Sequence, residues 1–483
     1  MRRNRFLVLF AALFASSVSA GQAPLGLTAK DVPISAHDRV YAAEQFSNTV
    51  SVIDPSRNEL LGVIRLGDPS PGNLSPLYRG QLLVHGMGFS PDSRTLAVVS
   101  IGSNSVTFID TATNAVKHTT YVGRSPHEAF YTPDGLEVWI TVRGEDYIAV
   151  LDAKTFEERQ RIKVPNGPGM QIFSPDGKYG YVCSSFNPET VVIDVKSHGI
   201  VGHVKQESPF CPNIAATPSG KQVWFTLKDS GKVQVFDARP PFAPIKTIDT
   251  GPITNHVNFA AKADGEFAYV TVGGLNVIKV FRTDDFSQVG TIPVGFLPHG
   301  IWPSGDGSRL YVGLENADAV AAVDVATNKV IATIPTGQAA QALVYVPNAV
   351  TAGDGKQNLS PLGIAANAVH LIMGAPGQSG TTSVAIFDQG LIQELQAAVS
   401  GLQPKTQYTL ALSDQREHAS ALQPLANFTT NPAGAAIVNS LGPIRQIVKP
   451  DASAPPRYLV IVSADSPTSN VLVQIQRPDE VAR

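Results

Sequence analysis

Residues 298–337 read PHGIWPSGDGSRLYVGLENADAVAAVDVATNKVIATIPTG. Four short runs alternate apolar and polar residues: GIWPS, SRLYVGL, AVAAVDV and KVIATIPTG. Between them lie GDG, ENAD and ATN, the residue types that accept the positive φ of tight hairpin turns. Period-two alternation broken by such turns predicts four antiparallel strands in about 40 residues.

The phrase recurs. Segments that align on it begin at His85, His127, Gly169, Asn213, His256, His299 and Gln341, with steps of 42, 42, 44, 43, 43 and 42 residues. Four strands per repeat of this length predict a propeller blade rather than a helical solenoid. The ends of the array are complementary. The first unit, from Arg39, has strands two to four without an inner strand, and the last, QALVYVPN from Gln341, is an inner strand alone. Joined, they make a seventh blade and close the ring, leaving no unpaired edge at the seam. The expected fold class is all-β: a seven-bladed β-propeller followed by a C-terminal β-sandwich-like domain.

The stretches YAAEQFSNTVSVIDPSRNELLGVI (41–64) and 298–337 resemble the YVTN-family β-propeller repeat over about two-thirds of the chain. The resemblance implies the fold. In function the broad group is similar to surface-layer repeats, periplasmic binding propellers, seven-bladed lactonases and propeller domains of metal- or haem-dependent reductases.

Around the repeats, the sequence divides into a signal peptide (1–20), an N-terminal linker (21–34), the propeller (35–350), a linker (351–361) and the small β domain (362–483). The opening MRRNRFLVLFAALFASSVSA is basic, then apolar, then small, as a secretory signal is, with cleavage expected after Ala20. Its apolar stretch falls short of the ~20 residues a spanning helix needs, and no later segment is apolar enough to cross a bilayer. The expected mature protein is periplasmic or secreted, a monomer without a transmembrane segment. The chain carries a formal charge of −3; without Arg2, Arg3 and Arg5 it has 34 basic against 40 acidic residues. That balance argues against nucleic acid as a partner.

An inner strand begins at one mouth of the central channel, so the aligned positions form a ring there: Gln341, His85, His127, Gly169, Asn213, His256, His299. Two accounts fit the four histidines. In one, Pro-His-Gly is repeat grammar, the imidazoles bridging backbone groups of adjacent blades. In the other, His85, His127, His256 and His299 converge on a ligand, or on copper or zinc, with Gln341 and Asn213 beside them. No cofactor is required by any motif.

The second strand returns to the same face, where its closing positions are Glu44, Gly102, Arg143, Ser185, Lys228, Gly273 and Glu315. Glu44, Arg143 and Glu315 are the candidate catalytic groups, since carboxylate, imidazole and guanidinium in one mouth support acid–base chemistry. Eighteen residues separate Gly67 from His85, against four in the equivalent interval before His127. That long Pro/Gly loop, carrying Tyr78 and the candidate ligand residue Arg79, is a lid or slack linker. Repeat phase puts Cys183 and Cys211 on the same face of adjacent blades, consistent with a disulfide in an oxidising compartment, with free thiols or copper ligands as alternatives.

There is no CxxCH, no Cys-rich zinc pattern, no GxxxxGK[ST] and no GxSxG. In the tail, 391–400 reads as a helix-like patch, and LQPKTQY (402–408) as a tyrosine corner. Strands are expected at 425–430, 435–440, 444–449, 457–463 and 470–476. The functional expectation is a ligand- or protein-binding scaffold of the bacterial cell envelope. Its partner is a small molecule or protein met at the histidine mouth. The alternative is an enzyme on that face, lactonase-like or a metal-dependent oxidoreductase.

Overall fold

The computed structural model describes residues 33–67, 82–378, 380–388, 393–417, 422–442, 444, 447, 456–464 and 471–477. The expected signal peptide, the loop bearing Tyr78 and Arg79, and most of the strand expected at 444–449 lie outside the described residues.

Seven four-stranded antiparallel sheets form the blades. Blade 1 is the composite one: Ala340–Val346 is its inner strand, followed outward by Arg39–Glu44, Thr49–Asp54 and Glu59–Arg65. Tyr41 pairs with Val344 and Val40 with Tyr345, so backbone hydrogen bonds join the two ends of the ring. The inner strands of blades 2 to 7 are Val84–Phe89, Pro126–Tyr131, Pro168–Phe173, Ile214–Ala216, Thr254–Lys262 and Pro298–Pro303.

Turn chemistry explains the breaks. Gly135, Gly177, Gly220 and Gly307 take φ of +71°, +71°, +63° and +68° between strands one and two, and Asn58, Asn114 and Asn328 take +55°, +59° and +54° between strands three and four. The inner three strands of each blade are almost wholly buried, whereas outer strands such as Val116–Tyr121 are exposed. Sheets therefore pack face to face through Trp139, Trp224, Tyr181, Phe130 and Phe225, each under 2% exposed.

The C-terminal unit is all-β as expected, and its eight strands belong to one antiparallel sheet rather than two facing ones. The order is Gln423–Thr429, Gln407–Ser413, Tyr458–Ser463, Leu472–Gln476, Ala368–Gly374, Thr382–Asp388, Gln393–Val399, Ala436–Gly442. It curls until its two outer strands meet, where Ser440 Oγ donates to the Leu425 carbonyl at 3.0 Å. Met373, Ile386, Leu395, Leu410, Leu412 and Ile461 fill the inside. Tyr408 lies in that core, and its hydroxyl accepts the Gln403 N–H at 3.3 Å.

The helix-like patch is corrected: Gln393–Val399 is a strand paired on both sides and buried at every position. Leu395, Ala397 and Val399 face the barrel interior, while Ala398 packs with Ile253 and Leu297 of the propeller. Polar Glu394 and Gln396 alternate with apolar Leu395, Ala397 and Val399, but apolar Leu391, Leu395, Ala398 and Val399 also fall at helical spacing, which is why the period misled.

The barrel sits on the histidine face. Asn316 Nδ2 donates to Ser383 O at 3.1 Å, Ser400 Oγ to Gly274 O at 2.9 Å, and the Phe46 ring packs 4.8 Å from that of Phe387. His370 Nε2 lies 3.3 Å from Asp318 Oδ2. The connecting segment adds Ser360 to the edge of blade 1 through paired bonds with Val63, close enough that a Cβ at Gly62 would lie 2.9 Å from Ser360 O. Among the described residues no helix is long and apolar enough to cross a membrane.

Candidate functional site

The Pro-His-Gly phrase has a backbone cause. Ladder pairing to strand two slips where the inner strands begin, between Val84 and Met87, Pro126 and Ala129, Thr254 and Val257, and Pro298 and Ile301. Released from the ladder, each strand start leans on its neighbour. A Cβ on Gly86 would sit 2.0 Å from His127 O, and one on Gly300 would sit 2.6 Å from Gln341 O. A side chain at either glycine would have to displace that neighbour, whereas blades 3 and 6 carry Glu128 and His256 at the same register position.

Threonines on strand two then stitch blade to blade. Thr141 Oγ1 accepts the Glu128 N–H at 3.1 Å and donates to Gly169 O at 3.0 Å. Thr271 Oγ1 accepts the His256 N–H at 2.8 Å and donates to His299 O at 2.7 Å. Thr226 Oγ1 reaches Asn255 O at 2.6 Å.

Hydroxyls thus bridge three of the blade junctions, and in none of these bonds does an imidazole nitrogen take part. Among the described residues the Nδ1 atoms of His85 and His127 and the Nε2 of His256 are buried without a hydrogen-bond partner. The rings cluster: His85 and His127 lie 4.3 Å apart, tilted by 47°, His256 and His299 meet at 4.9 Å, and His85 and His299 at 6.3 Å.

Above them lies a cavity of about 950 Å³, floored by the propeller mouth and roofed by the C-terminal sheet. Its floor includes His85, His127, His299, Gln341, Arg143, Glu315 and Lys228; Glu394, Gln396, Asn431 and Asn439 come from the roof. Glu315 is the hub. His299 Nδ1–H donates to Oε2 at 2.7 Å, and Gln341 Nε2 donates to Oε1 at 2.6 Å. Gln396 Nε2 reaches Oε1 from the roof, so one carboxylate ties both domains together. Burial alone would raise this carboxyl; the His299 pairing, Lys228 and the Gln396 bond together bring it down to about 2. Burial also holds His299 below its usual value, so neutral His299 donates to an ionised Glu315.

Desolvation depresses His85 and His127 well below the ordinary imidazole range, and neighbouring imidazoles and Arg143 add to it. Both rings are uncharged at neutral pH. Arg143 and Lys228 are half-buried, and burial lowers both. Asp229, also in the lining, is raised by burial.

The remaining candidates lie elsewhere. Asn213 and His256 sit one layer inward around a void of about 30 Å³, with Met87, Phe130 and Trp302 closing the axis. Room for about one water remains there. Glu128 joins them, its carboxyl raised by burial while accepting a bond from Met87 N–H. Glu44 is fully buried away from the mouth, accepting Thr49 Oγ1 at 2.7 Å and Ser51 N–H at 3.0 Å. Arg79 is outside the described residues.

Cys183 and Cys211 form a disulfide with Cα atoms 6.0 Å apart. It anchors the segment that presents Phe210 and Pro212 to the cavity. Among the described residues no three His, Cys, Asp or Glu side chains are grouped to hold a metal ion. The copper or zinc expectation at His85, His127, His256 and His299 is therefore not carried forward.

Sequence phase reached His85, His127, His299, Gln341, Arg143, Lys228 and Glu315. It missed Gln396 and Glu394, which were hidden in the misread patch, and Glu128, whose place in the inner-strand phase was the one available signal.

Among solved structures, the chain is similar to hydrazine synthase of Kuenenia stuttgartiensis, with 21% identity and a TM-score of 0.50 over 55% of this chain and 90% of that one. It is also similar to a functionally unknown protein from Desulfotomaculum acetoxidans DSM 771, with 14% identity and a TM-score of 0.52 over 63% and 98%. At these identities the likeness concerns the fold alone. No curated protein matches the chain. A family model described as YNCE-like beta-propeller matches residues 7–351, and with seven blades closed in the way its repeats require, the chain belongs to that family.

Proposed function

We propose that the protein is an exported binding propeller that captures a small molecule in the chamber between its histidine mouth and its C-terminal domain. One observation carries this: the chamber of about 950 Å³ is lined from both domains, a size suited to a small organic ligand. The chain's own barrel roofs the mouth, which favours a small molecule over a docked protein. Both oxygens of Glu315 are already engaged by donors, so the reading is binding rather than acid–base catalysis by that residue. Export rests on the basic, apolar and small N-terminal segment, and a disulfide suits an oxidising compartment.

The test is a thermal-shift screen of metabolites on the full chain and on Asn439→Trp, which stands opposite Gln396 and fills the chamber from its roof. Ligands that raise the melting temperature of the wild type and not of the variant support the reading. Shifts that persist in the variant, or no shift from any metabolite, count against it. Cell fractionation checks the compartment, with recovery only from the cytosol as the adverse result.

A further inference from the structure

Resting on that reading, we propose that Arg143, with His85 and His127, forms a seat for the oxyanion head of an amphipathic organic acid. The acid's apolar body lies against Leu83, Ile101 and Phe46.

Arg143 is the reason. Its guanidinium is half-buried on the chamber floor, and among the described residues no carboxylate lies within ion-pair distance and no hydrogen bond holds it. Every other charged group on that floor is compensated to some degree: Glu315 has three donors, and Lys228 feels both Glu315 and Asp229. An unpaired, desolvated cation costs stability unless a ligand completes it. A planar guanidinium fits two oxygens of a carboxylate or phosphate at once.

The imidazoles supply the second observation. His85 and His127 are only 5% and 4% exposed and line the same chamber; each encloses an unpartnered Nδ1, and among the described residues no hydrogen bond holds either Nε2. Their separation of 4.3 Å puts two neutral donor–acceptor rings side by side, and a neutral imidazole donates to an oxyanion without needing charge.

The carboxylates of the chamber are elsewhere on its wall. Burial alone, with no carboxylate's pull, shifts Arg143, whereas Glu315 and Asp229 act on Lys228. An acid head therefore meets an uncompensated positive corner on blades 2 and 3. Next to that corner the wall turns apolar: Leu83 and Ile101 belong to blade 2, joined by the Ile101 N–H to Leu83 O bond at 3.0 Å, and Leu83 packs toward Phe46 of blade 1. The head-to-body arrangement selects an amphipathic acid over an inorganic anion or a sugar.

The experiment is calorimetric titration of the full chain with hexanoate, hexyl phosphate, hexanol and hexylammonium. Binding of either acid in preference to hexanol and hexylammonium is expected, and which acid binds tighter distinguishes a carboxylate from a phosphate head. Arg143→Met should weaken the acid tenfold or more, with Arg143→Lys intermediate. His85→Ala and His127→Ala should each weaken it severalfold. The melting temperature of Arg143→Met should equal or exceed that of the wild type, because an uncompensated charge is removed; a lowered one would mark a structural role and overturn the assignment. Acid binding unchanged in Arg143→Met also overturns it. Hexanol binding as tightly as the acids, independently of Arg143, would sink the oxyanion seat and leave the chamber reading intact. No binding by any of the four probes would overturn the seat and weigh against the chamber as well.

Discussion

Changing Glu315 to Gln removes one buried negative charge while leaving the shape of the side chain and a workable hydrogen-bond pattern. The new amide oxygen still accepts from Gln341 and Gln396, and its NH2 faces His299, which as a neutral imidazole can shift its proton to Nε2 and accept at Nδ1. The variant therefore reports the charge more than the packing. Glu315 is held at about 2 in the fold against 4.5 unfolded. A carboxyl with a depressed folded value contributes stability that is fully present above 4.5 and is lost as pH falls toward 2. Losing a charge-assisted hydrogen bond between buried groups then costs the variant about 1.5–3 kcal/mol at pH 7, and the deficit shrinks as pH falls toward 2. Urea unfolding followed by tryptophan fluorescence measures it cleanly, because Trp139, Trp224 and Trp302 all lie in the propeller and report that unit alone. A variant as stable as the wild type at pH 7, or a deficit that does not change between pH 7 and pH 3, would refute the view that Glu315 is an ionised hub.

Glu44 has the opposite sign: burial raises it to about 8, so its protonated form stabilises the fold below 4.5 and that contribution is lost as pH rises through 8. Glu44→Gln should cancel about 5 kcal/mol of decline between those limits, read as a flatter stability–pH curve; an unchanged slope would contradict it. Removing the cross-link in Cys183→Ala/Cys211→Ala opens a loop of 28-residue separation and should cost about 3–4 kcal/mol on the chain-entropy model. Equal urea midpoints for the oxidised wild type and the double variant would be the adverse outcome.

How much of this was legible can be seen in single residues. His299 and His85 stand 43 and 42 residues from the starts of their neighbours in the repeat, and once the ring is closed those intervals become ring contacts of 4.9 Å and 4.3 Å. Arg143, Lys228 and Glu315 came from the same phase argument applied to strand two. Glu44 shares that phase yet points away, because Thr49 and Ser51 on the adjacent hairpin strand turn its carboxylate inward. Gln396 was out of reach, since the apolar residues around it also fall at helical spacing and its strand could be read as a helix.

The chain's pattern by itself determined the seven blades and the composite closing blade, because hairpin turns and period-two alternation act over a few residues and repeat without change. Only the tertiary structure decided that a second domain covers the mouth, that Thr141, Thr226 and Thr271 join neighbouring strand starts, and that Arg143 stands without a carboxylate partner among the described residues. Those outcomes depend on which side chains from distant segments meet. They are set by packing between domains, and no local period encodes that.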